Sequence, residues 1–456
     1  MLRSINPFTG QLVAEYPRLT ANGLEERLNA AALAFQSWRR SDARERRGLI
    51  LAIEQGLLAQ RSHLARTMAL EMGKPIRQGL AEVDKCAWLC RHYAEHAEAY
   101  LQNEAIELSD SQCFVCYRPI GVVLGVMPWN FPFWQVFRFA IPAIAAGNVA
   151  LLKHASNVSG CALAIERLFQ EAGSPAGVFG VLLLPAREIG AVIEDPRICA
   201  VSLTGSTPAG RSVAATAGGV LKKVVLELGG SDPYIILPDA ELEHAAKLCA
   251  ASRLINSGQS CIAAKRFIVH QDVEAPFIEA LRRQMQAAVL GDPLDEATDL
   301  GPMARLELRD ELAAQVRRSI EQGARVELGG QTTSGPAAIY PATILSDVRP
   351  GMVAFDEELF GPVAAVTCAR DEREAIALAN QSCFGLGAAI FSADRNRACA
   401  IAADELEAGC CFVNDFVRSD PRIPFGGIKQ SGFGRELARN GILEFCNVKS
   451  VVVASS

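Results

Sequence analysis

Cys261 lies in Gly258-Gln259-Ser260-Cys261, and Glu227 lies upstream in Glu227-Leu228-Gly229-Gly230. A cysteine and a glutamate, each set in a glycine-bearing turn, suit a two-stage acyl reaction. The thiolate takes the acyl group, and the carboxylate then activates the water that releases it. Three other segments hold side chains of the right type. In Pro128-Trp129-Asn130-Phe131-Pro132 two prolines fix an asparagine after an apolar run. Its amide is placed either to donate to an oxyanion or simply to sit in a rigid loop stapled by aromatics. The segment 203–210, Leu-Thr-Gly-Ser-Thr-Pro-Ala-Gly, reads as strand, turn and helix start, offering a helix N-terminus and a hydroxyl to a phosphate. An ordinary capped helix explains it equally well, since neither G-x-G-x-x-G nor a P-loop is present. In 355–362, Glu358 beside Phe360 suits a ribose and a stacked ring, or is plain solvated charge.

These side chains need a scaffold. The chain has 456 residues, too many for one ordinary core, so two large domains and a small third element are expected. Asn22 followed by Glu25 resembles a helix N-cap, and Leu24, Leu28, Ala31, Phe35 and Trp38 then recur at helical spacing. Helical patterning continues over 44–71 and 76–101. Short extended segments follow at 112–117 and 121–127, the second nearly all aliphatic, as a buried parallel strand is. The longest apolar run, 139–152, reads as a buried helix, its end doubling as a strand candidate at 149–153. Strands at 178–184, 200–203 and 223–226 then alternate with helices at 160–172, 188–194 and 208–217. That rhythm implies a mostly parallel, doubly wound sheet. A second alternating set runs from about 239 to 434, with strands at 266–270, 364–367, 388–391 and 411–414. The late β-branched run 448–453 has no domain of its own and is expected to pair elsewhere, with another subunit.

Composition narrows the function. Net charge is −6 with both signs interspersed, and no Lys/Arg run marks a nucleic-acid footprint. The arginines at 39–40 and 44–47 fall on a helical stretch and read as a solvated face. No apolar run is long enough to span a bilayer. The opening residues carry no signal peptide, and many of the 14 cysteines sit in apolar surroundings, so a reducing cytoplasm is the expected home. His92-Tyr93-Ala94-Glu95-His96 matches an inverted zinc-protease signature, but no third ligand stands out and no metal is expected. Cys113-x-x-Cys116 lacks a partner pair and reads as strand alternation. A cofactor-free thiol hydrolase would need a histidine partner for Cys261, and none lies in a recognisable motif.

Taken together, the five segments and Pro424-Phe425-Gly426-Gly427-Ile428-Lys429-Gln430-Ser431-Gly432 resemble the aldehyde dehydrogenase superfamily over almost the whole chain. The resemblance implies two doubly wound Rossmann-like α/β domains plus a small β oligomerisation flap. Cofactor binding would use 1–100 and 120–229, catalysis 230–435, and the flap 101–119 and 436–456. It implies Cys261 as nucleophile, Glu227 as general base and Asn130 as oxyanion donor with the Cys261 backbone N–H. The cofactor contacts it implies are Trp129, Lys153, Ser156, Gly205, Ser206, Leu228, Glu358 and Phe360. Ser156 stands where NAD-selective members often carry a glutamate, so NADP is expected as cofactor, with NAD also accepted. Arg138, in an otherwise apolar helix, is costly without an anion. It reads as the partner of a substrate carboxylate, or as half of an internal salt bridge. Trp134-Gln135-Val136 before it, and Leu152-Lys153-His154-Ala155, are similar to the bacterial succinate-semialdehyde-oxidising branch. Glutarate semialdehyde or a general aliphatic aldehyde is the near rival. A second tunnel arginine found in some members is replaced by Ile255, with Arg253, Arg418 or Ser419 as possible substitutes. Ala263 stands where some members carry a second cysteine, so no local disulfide switch is expected. A homo-oligomer, dimer or tetramer, is implied.

Overall fold

The computed structural model describes residues 1–108, 110–331 and 337–454. Its first sheet has six strands in the order Gly432–Phe433, Lys223–Glu227, Ile198–Thr204, Val122–Met127, Val149–His154, Phe179–Val181. All pairings are parallel except that of Gly432–Phe433 with Lys223–Glu227. The chain begins at the centre, winds outward through 149–154 and 179–181, and then returns to the other side of 122–127. That reversal leaves a crevice at the strands' carboxyl ends. The three central strands form there because each is largely aliphatic and buried on both faces. Gly125 in the central strand makes room for the ring of Phe139, which a Cβ there would approach to 2.1 Å.

The second sheet has seven strands: Arg325–Leu328, Thr343–Ser346, Val363–Ala369, Arg266–His270, Pro233–Ile236, Gly387–Phe391 and Cys410–Val413. Only the first of these runs antiparallel to its neighbour. Alternation along the strands builds two cores. Tyr234, Ile236, Phe267, Val269 and Phe391 face the helices Leu242–Leu254 and Glu274–Gln286, while Ile235, Ile268 and Ile390 face Glu372–Asn380 and Arg395–Ala400. The architecture is therefore two doubly wound α/β units, as expected. Among the described residues no helix is long and apolar enough to cross a membrane.

Several details differ from the sequence reading. The first helix, Ala21–Trp38, is capped by Thr20, whose side chain accepts from the Gly23 N–H, and not by Asn22. The patterning at 44–71 divides at Gln60 into Ala43–Ala59 and Arg61–Met72. The apolar run at 139–152 is the end of the helix Trp134–Ala145 and then a strand. The N-terminal hairpin, Leu2–Ile5 with Leu12–Tyr16, was not foreseen. The terminal strand Cys446–Ala454 does not wait for another subunit: it pairs along its whole length with Ser111–Pro119 of its own chain. With Glu104–Glu107 these make a separate three-stranded sheet. The segment before it belongs elsewhere, because Leu437, Ile442 and Phe445 lie in the core of the first sheet. The flap thus takes its third strand from 446 onward, not from 436.

Gly125→Ala should destabilise the protein by about 2 kcal/mol, because the new methyl overpacks against Phe139. Chemical denaturation measures it, and an unchanged midpoint would contradict the packing described.

Candidate active site

The carboxyl ends of adjacent strands in the first sheet gather the candidate residues. The Val122–Met127 strand runs into the Pro128-Trp129-Asn130 turn. His154, ending the next strand, pins that turn, its ring nitrogens 3.2 and 2.9 Å from the Met127 and Pro132 carbonyls. Burial pushes its pKa down to about 4, so it stays neutral. On the other side of the central strand, the Ile198–Thr204 strand leads through Gly205 to the helix Thr207–Gly219. Ser206 is its N-cap residue, exposed, with a side chain not engaged in capping. Lys153 lies buried one residue before its strand's end, and desolvation lowers its pKa. Ser156 follows on a short 3-10 turn. A desolvated ammonium, a hydroxyl where an acid would repel phosphate, and a free helix N-terminus fit a phosphate-bearing dinucleotide. Leu228 is buried and anchors its turn through its N–H to the Ser431 carbonyl, 3.0 Å away.

Cys261 enters from the opposite side, ahead of the second sheet's Arg266–His270 strand. The turn before it is strained: Asn256, Ser257 and Gly258 all adopt left-handed φ (52°, 55° and 74°). Gly258 is also crowded, since a Cβ there would come within 2.2 Å of the Gly361 carbonyl carbon. Buried polar groups hold the turn. Asn256 Nδ2 donates to the Asn130 and Gln259 carbonyls at 2.7 and 3.2 Å, Arg253 Nη2 to the Gly258 carbonyl at 2.5 Å, and Lys265 Nζ to the Ser260 and Cys261 carbonyls at 2.9 and 2.7 Å. Asn130 Nδ2 donates one N–H to the Gln259 carbonyl at 3.1 Å. Asn256 thus ties the expected oxyanion donor to the expected nucleophile. The sequence reading missed both Asn256 and Lys265, because their roles arise only once two distant loops meet.

Glu227 closes the site. Its strand is paired on the outer side by Gly432, and its carboxylate is buried beside Arg138. The Arg138 guanidinium lies 2.5 Å from Glu436 through Nε and 3.4 Å from Glu227 through Nη2, against the Phe425 ring. Of the two readings of Arg138, the internal salt bridge is present. Its guanidinium contacts two carboxylates and also lines the cavity onto which Cys261 opens. Burial pushes the Glu227 pKa up to about 8, and Arg138 opposes the rise; burial also raises Glu436. Burial, with Glu227 next, pushes Cys261 up to about 12. Glu227 is therefore the first of the two to release its proton, and the local group able to accept the thiol's.

Cys261 opens onto a cavity of about 190 Å³, with Phe131, Trp134, Ile262, Phe416 and Phe425 among its apolar walls. Arg138, Ser419, Arg418 and Ile255 also line it, while Arg253 is committed to the Cys261 turn. Lys85, unremarked in the sequence, reaches the same cavity. Glu358 lies near the catalytic turn: its Oε1 accepts from the Gly230 N–H at 3.0 Å and lies 3.3 Å from Lys265 Nζ. Phe360 meets Trp129 edge-on at 5.8 Å. His92 stacks on His96 and lies 3.1 Å from the Tyr100 hydroxyl, well outside the site.

Comparison with known proteins agrees with this geometry. The aldehyde dehydrogenase family profile matches residues 1–451. The chain is 48% identical, over 98% of its length and 97% of the relative's, to succinate semialdehyde dehydrogenase [NAD(P)+] Sad of Escherichia coli. It is also 48% identical, over 99% of its length and all of the relative's, to a probable succinate-semialdehyde dehydrogenase [NADP(+)] of Synechocystis. Among solved structures, succinic semialdehyde dehydrogenase from Streptococcus pyogenes with NADP+ superposes with a TM-score of 0.97 at 36% identity, each chain fully covered.

A step that needs Glu227 as base should quicken as pH rises through about 8, because only the ionised carboxylate accepts a proton. Arg138→Leu removes the cation that holds this pKa down, so the midpoint should move to higher pH. It should also cost about 3 kcal/mol or more of stability, because two buried carboxylates lose their partner. A pH–rate profile and thermal denaturation of the variant check both effects.

Proposed function

Because this chain belongs to the aldehyde dehydrogenase family, we propose that it oxidises succinate semialdehyde to succinate with NADP, accepting NAD as well. The observation that carries the reading is the gathering of Asn130 and Glu227 about Cys261, which itself opens onto a cavity with cationic and hydroxyl side chains at its walls. The Cys261 sulfur adds to the aldehyde carbon, and its proton passes to ionised Glu227. The Asn130 amide and the Cys261 N–H receive the developing oxyanion. NADP, when bound, supplies the hydride acceptor. The acyl group stays on Cys261 as a thioester until Glu227, having released the first proton to solvent, takes a proton from the attacking water, and hydrolysis frees the acid and the Cys261 sulfur. Arg138 and Ser419 stand at the wall facing the substrate's far end.

Lys153, Ser156, Gly205, Ser206, Trp129, Leu228, Glu358 and Phe360 are proposed to hold the cofactor. Lys153 and Ser156 would meet the ribose 2′-phosphate, where a glutamate in place of Ser156 would repel it. All 14 cysteines are free thiols, in keeping with work in a reducing cytoplasm. A homo-oligomer is the proposed assembly. The Cys446–Ala454 strand leaves one edge unpaired in its sheet and exposes Val448, Val452 and Val453. Such an edge invites pairing with a second copy.

Two measurements test this. Steady-state kcat/KM for succinate semialdehyde should exceed that for butanal by at least about tenfold with NADP; equal values would reject the substrate assignment. NADP should be favoured over NAD, and Ser156→Glu should lower the NADP:NAD ratio of kcat/KM by about tenfold or more, through repulsion of the 2′-phosphate.

A further inference from the structure

Lys85 belongs to the helix Ile76–Tyr100, on the side facing the cavity that opens at Cys261. Its Nζ donates to Ser419 Oγ at 2.8 Å and lies 4.3 Å from the centre of the Trp134 ring. Ser419 Oγ also accepts from Trp134 Nε1 at 3.1 Å. With both incoming bonds accepted, the serine's own O–H is left to donate. The charged groups around Lys85 are committed elsewhere. On its own helix, Glu82 binds Lys74 and accepts the Phe133 and Trp134 N–H groups, and the Cys86 thiol is held neutral by burial. Arg138 on the neighbouring helix is shared by Glu436 and Glu227, Asp420 pairs with Arg422, and Arg418 pairs with Asp415. Among the described residues no carboxylate forms a salt bridge with Lys85.

We propose that Lys85, with the Ser419 hydroxyl, is the anchor for the substrate's carboxylate and so selects semialdehydes over neutral aldehydes. This inference rests on the substrate reading above. It places the discriminating charge on an ammonium that no protein carboxylate pairs, near Arg138, whose guanidinium already contacts Glu436 and Glu227. A substrate carboxylate would accept one bond from Ser419 O–H and one from Lys85 Nζ, supplying the counter-charge that the protein leaves out. Burial, with Arg138 next, lowers the Lys85 pKa to about 8. The anchor is therefore charged below that pH and lost above it.

The test compares succinate semialdehyde with butanal from about pH 6.5 to about 9.5, on wild type, Lys85→Met and Lys85→Arg. Both substrates share Cys261 and Glu227, so the ratio of their kcat/KM values cancels the base's titration. In wild type that ratio should fall as pH rises through about 8. In Lys85→Met it should be flat, with KM for succinate semialdehyde raised about tenfold or more and that for butanal changed less than about threefold. Lys85→Arg should restore much of the preference and lose the pH step, because arginine stays charged. A wild type without preference would overturn the substrate reading. A preference that survives Lys85→Met, or a pH-independent ratio in wild type, would overturn the role of Lys85 alone.

Discussion

One buried positive charge organises the catalytic end of this molecule. Arg138 projects from an apolar helix between Glu227, at the end of a first-sheet strand, and Glu436, on the segment that returns after the second sheet. Two segments, 89 and about 300 residues beyond Arg138 in sequence, are thereby held by a single guanidinium. An unpaired charge at that depth would not be tolerated, and neither would two unpaired carboxylates. The balance also sets the chemistry. Burial keeps the Glu227 proton on to a pH near 8 and not near the usual carboxylate range, and one cation shared by two acids opposes that rise without cancelling it.

Cys261 is held by a different set of contacts. Its turn takes three successive left-handed residues, and the carbonyls that face inward are capped by Asn256, Arg253 and Lys265. Strain of this kind persists only where surrounding bonds over-determine it. Cys261 gains little stabilisation of its thiolate from the fold alone, since burial and Glu227 both act against ionisation. The protein thus keeps a protonated thiol next to a carboxyl group that can accept its proton only once ionised.

Much of this was legible in the sequence. The strands are aliphatic runs between turn residues, so their pattern survives without tertiary information, and the motif residues sit at their ends where a doubly wound sheet places its sites. What could not be read were pairings between remote segments. Nothing in the neighbourhood of Arg138 announces Glu436, and nothing near Lys85, one charged residue on an ordinary amphipathic helix, announces a cavity wall. The terminal strand was recognised by its valines, but alternation along a strand does not name its partner, which proved to be Ser111–Pro119 of the same chain. Thr20 won the first helix cap from Asn22 because its extended backbone leaves its hydroxyl facing the Gly23 N–H.

The short strand Gly432–Phe433 completes the sheet edge beside Glu227, while Ser431 ties down the Leu228 N–H and the Gly229 carbonyl. These contacts come from the last tenth of the chain. During synthesis Cys261 leaves the ribosome long before them, so its thiol exists first without Glu227 in register and without the contacts of Arg138 with Glu436. The surroundings of Cys261 and Glu227 are therefore complete only once the C-terminal segment has left the ribosome, at the end of translation.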